Sequence, residues 1–70
     1  MKLHEKADVK RYRIYAKRKG SANWTEWTHA DDEGVALSYM DKVLSLGFDA
    51  KMTDRENKNK VVRYAEQTVS

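Results

Sequence analysis

Asp31 to Met52 reads DDEGVALSYMDKVLSLGFDAKM, and this stretch decides the fold. Ala36, Met40, Val43 and Leu44 recur at helical spacing, with Leu37 and Tyr39 flanking the stripe. Thr28 and Asp31 have the spacing of a capping box. Asp31, Asp32 and Glu33 place three carboxylates where a helix N-terminus is partly positive. Gly47 suits the position just past a helix end, where glycine takes a left-handed conformation without strain. The pattern predicts a helix over Asp32 to Leu46, with Gly34 weakening its first turn by about 1 kcal/mol relative to alanine. Beyond Gly47 the period changes from 3.6 to 2. Phe48, Ala50 and Met52 alternate with Asp49, Lys51 and Thr53, which predicts a strand.

Two strands precede this helix and one follows its strand. Val9 to Lys17 reads VKRYRIYAK and puts Tyr12, Ile14 and Ala16 on one face, with Arg11, Arg13, Tyr15 and Lys17 on the other. Gly20-Ser21-Ala22-Asn23 is a turn cluster, and Trp24 to His29 is aromatic and β-branched, as strands are. Arg55 to Asn59 reads as a second turn and Lys60 to Glu66 as a fourth strand. The expectation is a single α+β domain over residues 9–66 in ββαββ order. An antiparallel sheet of about four strands would carry one helix across one face. Residues 1–8 read as a polar, flexible arm and residues 67–70 as a tail.

Burying Glu26 or Arg63 would be costly, which sets the faces. The predicted core is Tyr12, Ile14, Ala16, Trp27, Ala36, Met40, Val43, Leu44, Phe48, Ala50, Met52, Val62 and Tyr64. The predicted outer face holds Arg11, Arg13, Tyr15, Lys17, Trp24, Glu26, Lys51, Val61 and Arg63. A one-residue slip in either hairpin would reverse part of this assignment.

Composition narrows the function classes. Seventy residues make one domain at most, and a chain this short buries only about 60–65% of its unfolded surface. There is no cysteine, which excludes disulfides and thiolate metal sites and leads to an expectation of a cytoplasmic home. The first eight residues, MKLHEKAD, lack the apolar run of a signal peptide, and no stretch approaches the roughly 20 apolar residues of a membrane span. Net charge is +3, unevenly spread: residues 1–23 carry eight Lys or Arg against two acids, and residues 24–49 carry six acids against one Lys. Such asymmetry bears on partners and encounter rates.

The outer face is the candidate site. Tyr15 and Trp24 lie among Arg11, Arg13, Lys17, Lys51 and Arg63, and Lys17-Arg18-Lys19 forms a basic turn. Bases stack on rings and phosphates pair with cations, so this mixture suits single-stranded nucleic acid. The same residues also describe the solvated side of a half-exposed sheet, with long cationic side chains lying over rings. His29, Asp31, Asp32 and Glu33 could be read as metal ligands, but helix capping explains the acids better, and no metal or other cofactor is expected. Ser38 and Ser45 lie on the predicted helix without a histidine partner, no glycine-rich phosphate loop is present, and no catalytic residue is assigned.

From Tyr12 to Tyr64 the chain resembles small stand-alone proteins of bacteriophage and prophage genomes. The features that carry this are YRIYAKRKG, the Trp-rich WTEWTHA, the acid-capped helix and LSLGFDAKM. The stretch YMDKVLSLGFDAKM is similar to the helix-to-strand passage of sporulation-related peptidoglycan-binding repeats, although their second helix is missing here. The sheet-plus-helix pattern is also similar to the arm-site DNA-binding domains of phage integrases, which place the helix after three strands. The resemblance implies a phage-type binding module and transfers no site residues.

Two function classes follow. The first is a non-enzymatic module that contacts nucleic acid through Arg11, Arg13, Tyr15, Lys17, Arg18, Lys19, Trp24, Lys51 and Arg63. The alternative is a protein-binding accessory factor, an inhibitor or adaptor of a host protein, with a homodimer as one form it could take.

Overall fold

Hydrogen bonding and side-chain alternation place β1 (Tyr12–Arg18) at the centre of the molecule, paired on one side with β2 (Thr25–Ala30) and on the other with β3 (Phe48–Asp54). The structure, a computed structural model, describes residues 10–66; the arm, His4, Val9 and the tail lie outside them. β4 (Lys60–Ala65) pairs with β3, giving a four-stranded antiparallel sheet of order β2-β1-β3-β4. β2 and β3 both run against β1 and therefore parallel to each other. α1 (Glu33–Ser45) is the crossover between them and lies over one face. This is the expected single α+β domain, ββαββ in chain order.

α1 begins one residue later than the sequence predicts, and its cap differs. Asp32 caps it, with Oδ2 accepting from the Val35 N–H at 3.0 Å. Thr28 is inside β2, and Asp31 instead accepts from the Arg11 N–H at 3.1 Å and pairs with Lys10 Nζ at 3.4 Å. Gly34 has a use in this arrangement, because a Cβ there would come within 3.0 Å of the capping Asp32 oxygen. At the other end the Leu46 and Gly47 N–H groups close the last turn, and Gly47 takes φ +93° as its position requires.

Tyr12, Ile14, Ala30, Ala36, Met40, Val43, Ala50 and Met52 form the core between α1 and the sheet, with Ala16, Tyr39, Leu44, Phe48, Val62 and Ala65 packed around it. Ala30 is an addition to the predicted core, and Trp27 and Tyr64 leave it. Trp27 is 40% exposed, with its ring edge-on to Tyr39 of α1 at 6.2 Å between centroids. Tyr64 is 53% exposed and lies on the opposite side of the sheet from α1.

The reason is a β-bulge in each edge strand. In β2, Ile14 pairs with Thr28 and Tyr15 with Glu26, so Trp27 is an extra residue. In β4, Met52 pairs with Arg63 and Thr53 with Val61, so Val62 is extra. Each bulge shifts the alternation by one. Beyond Val62, Arg63 therefore turns to the helix side and Tyr64 to the open side, the reverse of the unbroken alternation. Arg63, expected on the outer face, donates to Glu33 of α1 at 2.9 Å. Both edges also become poor templates for adding a further strand, since bulges twist the edge out of register.

β3 ends in a 3-10 turn (Arg55–Asn57) capped by Asp54, whose Oδ1 accepts from the Glu56 N–H at 3.0 Å. Among the described residues no helix is long and apolar enough to cross a membrane.

Candidate binding face

α1 covers one side of the sheet. On the other side the pairing register places Arg13, Tyr15 and Lys17 of β1, Asp49, Lys51 and Thr53 of β3, Glu26 and His29 of β2, and Val61 and Tyr64 of β4. Trp24, immediately before β2, joins them. Its ring meets Tyr64 edge-on at 6.1 Å, with an interplanar angle of 72°. β2 and β4 are the two outer strands, about 14 Å apart at ordinary strand spacing, so the two rings lean inward over β1 and β3.

Lysines fill the gaps between rings. Lys51 Nζ is 4.7 Å from the Trp24 centroid and 5.1 Å from that of Tyr15. Lys17 Nζ is 5.4 Å from the Trp24 centroid and 3.2 Å from Asp49 Oδ2. A cation beside an aromatic face is stabilised by about 0.5–2 kcal/mol, more as water is excluded. Here exclusion is substantial: the Lys17 side chain is 16% exposed and Asp49 is buried. Tyr64 Oη donates to Glu66 Oε2 at 2.9 Å, and this hydrogen bond, helped by partial burial, pushes its pKa up. The open face is thus an organised layer of three rings, two lysines and one buried acid, flanked by Arg13.

The sequence-predicted site residues divide into three groups. Arg13, Tyr15, Lys17, Trp24 and Lys51 are brought together on the open face. Arg18 and Lys19 are exposed in the adjoining turn, closed by the Ser21 N–H donating to the Arg18 carbonyl at 2.9 Å. Arg11 and Arg63 are elsewhere. Arg11 makes a two-pronged bond to Asp54 (Nε to Oδ1 2.9 Å, Nη2 to Oδ2 3.1 Å) and approaches Glu56 at 3.6 Å. The Asp54 bond raises the Arg11 pKa, and the same bond, with the Glu56 N–H, lowers that of Asp54.

Tyr64 and Asp49 belong to the layer and were not among the predicted site residues. Tyr64 was hidden by the bulge at Val62. Asp49 becomes visible only once β1 and β3 are aligned, because the register then sets it opposite Lys17.

The other candidates disperse. His29 faces Glu26 at 3.7 Å, Asp31 binds Lys10 and the Arg11 N–H, Asp32 caps α1, and Glu33 holds Arg63. Ser38 and Ser45 donate to the carbonyls of Val35 and Lys42 within α1. Comparison with protein families, with curated proteins and with solved structures finds no match to this chain.

Proposed function

We propose that this domain is a non-enzymatic binding module that contacts nucleic acid, single-stranded in preference to duplex, through the open face of its sheet. One observation carries the reading. Tyr15, Trp24 and Tyr64 share the uncovered side of one sheet with Arg13, Lys17 and Lys51, next to the basic turn at Arg18 and Lys19. Rings spaced across a sheet offer stacking surfaces, and the cations among them offer phosphate partners. Arg11 and Arg63 are left out of the proposed site because carboxylates occupy them. Lys51, which has no carboxylate partner among the described residues, offers its ammonium to a phosphate in place of the rings. A cytoplasmic location and a phage-type origin fit this reading, on the absence of cysteine and on the likeness of YRIYAKRKG and LSLGFDAKM.

A titration with labelled single- and double-stranded oligonucleotides at two salt concentrations tests it. Lys17 is held by buried Asp49, so four cations (Arg13, Arg18, Lys19 and Lys51) engaging four phosphates give a log–log salt slope of about −2.8 for a single strand. No binding at low salt refutes it.

A second reading has its own observation. A groove of about 360 Å³ runs between α1 and β4, lined by Leu37, Met40, Leu44, Tyr64 and Ala65 with Asp41 and Arg63. Leu37 of α1 is exposed there, as a protein partner's contact site would be. Under that reading the domain is the protein-binding accessory factor. Retention of one host protein from nuclease-treated lysate, together with no oligonucleotide binding, distinguishes it.

A further inference from the structure

A second cleft, of about 320 Å³, opens at the end of the sheet where β1 turns toward β2. It is lined by Ala16, Thr25, Trp27 and Phe48 with Lys17, Arg18 and Asn23. Ala16 pairs with both Thr25 and Ala50, and Trp27 meets Tyr39 of α1, so the cleft is on the helix-bearing side of the sheet. We infer that this cleft takes one base of the same nucleic-acid strand that lies on the open face, an inference that rests on the proposed function.

Four features select that occupant. Two aromatic side chains, Trp27 and Phe48, line the cleft beside Ala16, and Trp27 is 40% exposed. The volume is at the small end of the roughly 300–1,000 Å³ of small-molecule sites, enough for one nucleotide and too little for a folded segment. The charge is one-sided: no acid lines the cleft, the Lys17 ammonium is turned to Asp49 on the open face, and the Arg18 guanidinium at the cleft has no ion pair among the described residues. Finally, the Asn23 carboxamide and the Thr25 hydroxyl make no hydrogen bond among the described residues. An amide offers both a donor and an acceptor to a base edge.

Chain connectivity joins this cleft to the open face. Lys17 and Trp24 belong to the open face, and their neighbours Arg18 and Thr25 line the cleft. The turn between them is therefore the ridge separating the two sites, and it carries Arg18 and Lys19, both exposed. A single strand lying across Tyr64, Trp24 and Tyr15 that rounds this ridge keeps its backbone against cations and delivers its next base to Trp27. A duplex cannot make that turn, which deepens the preference for single strands.

The chain holds two tryptophans, one at each site, and each indole N–H gives one resonance in a ¹H–¹⁵N spectrum. Trp24→Phe and Trp27→Phe assign them. Titration of the wild-type domain with an oligothymidine octamer should move both resonances along one binding curve. Trp27→Leu, with its fold checked by the remaining amide spectrum, should bind the octamer about tenfold more weakly, the lower part of the range for losing one stacked base. Movement of Trp24 alone, or an unchanged affinity for Trp27→Leu, overturns the cleft assignment and leaves the open-face reading standing. Absence of any binding, with both resonances still, removes both.

Discussion

Lys51 and Met52 are consecutive residues of β3, and they lie in two different environments. Met52 is wholly buried against Ile14 and α1, in a layer held by the volume of aliphatic side chains. Lys51 sits between two aromatic rings, in a layer held by charge and ring geometry. The first kind of layer tolerates no exchange, since each missing group leaves a void. In the second, the Lys51 ring contacts are ones the proposed polyanion would replace, while the Lys17–Asp49 pair is covered and stays. A chain of 70 residues thus keeps its aliphatic core on one face only, which leaves the other face to the binding proposed above.

The largest test of the contrast is to truncate both neighbours. Met52→Ala should cost about 2–5 kcal/mol in urea unfolding, because the transfer loss and the cavity add. The molecules that remain folded should bind oligonucleotide as before. Lys51→Ala should cost only about 1 kcal/mol, the worth of its ring contacts, yet weaken binding. If both variants lost stability alike and neither lost affinity, the open face would be a second structural core and not a binding surface.

Next in size is Asp49→Ala, expected to cost about 3 kcal/mol. It leaves the mostly covered Lys17 ammonium without its carboxylate, and breaking such a pair from one side is far costlier than never having built it. Lys17→Met with Asp49→Ala together should recover most of the loss. Failure of the double variant to recover would mean that Asp49's other contacts matter more than Lys17.

The end of the sheet near Arg11 gives a smaller effect with a pH signature. Asp54 has a lowered pKa in the folded protein, through the Arg11 bond first and the Glu56 N–H after it. Its contribution is therefore complete above the ordinary carboxylate range and disappears as pH falls through the lowered value. Asp54→Asn should melt at a lower temperature than wild type at pH 7, and the gap should close as pH drops below about 4. A gap that stayed constant to acid pH would show that the pair contributes nothing.

Much of this arrangement was legible in the residues. The 3.6-residue stripe ending at Gly47 and the alternation after it are local signals, and both elements formed where those signals lie. β1 is regular, so alternation alone separated Ile14 from Tyr15 correctly. What escaped was non-local. The Arg11–Asp54 bond spans 43 positions, and nothing near Arg11 announces it. The capping box expected of Thr28 and Asp31 gave way to Asp32, because Thr28 is inside β2 and Asp31 is drawn to Lys10 and to the Arg11 N–H. The bulges carry no glycine, only Trp27 and Val62, so no residue type marked the places where alternation slips.

Arg63 provides the smallest and sharpest probe of that slip. Both it and Glu33 are half exposed, so their bond should contribute no more than about 0.5 kcal/mol, and Arg63→Ala should barely move the urea midpoint. Its value is in what binding does. With Val62 bulged, Arg63 lies on the helix side and its removal leaves oligonucleotide affinity and salt slope unchanged, whereas Tyr64→Ala on the next residue weakens binding by the loss of a ring. Were β4 to run without the bulge, the two residues would trade faces. Arg63→Ala would then reduce the salt slope by about 0.7, one phosphate's worth, and Tyr64→Ala would cost stability in place of affinity.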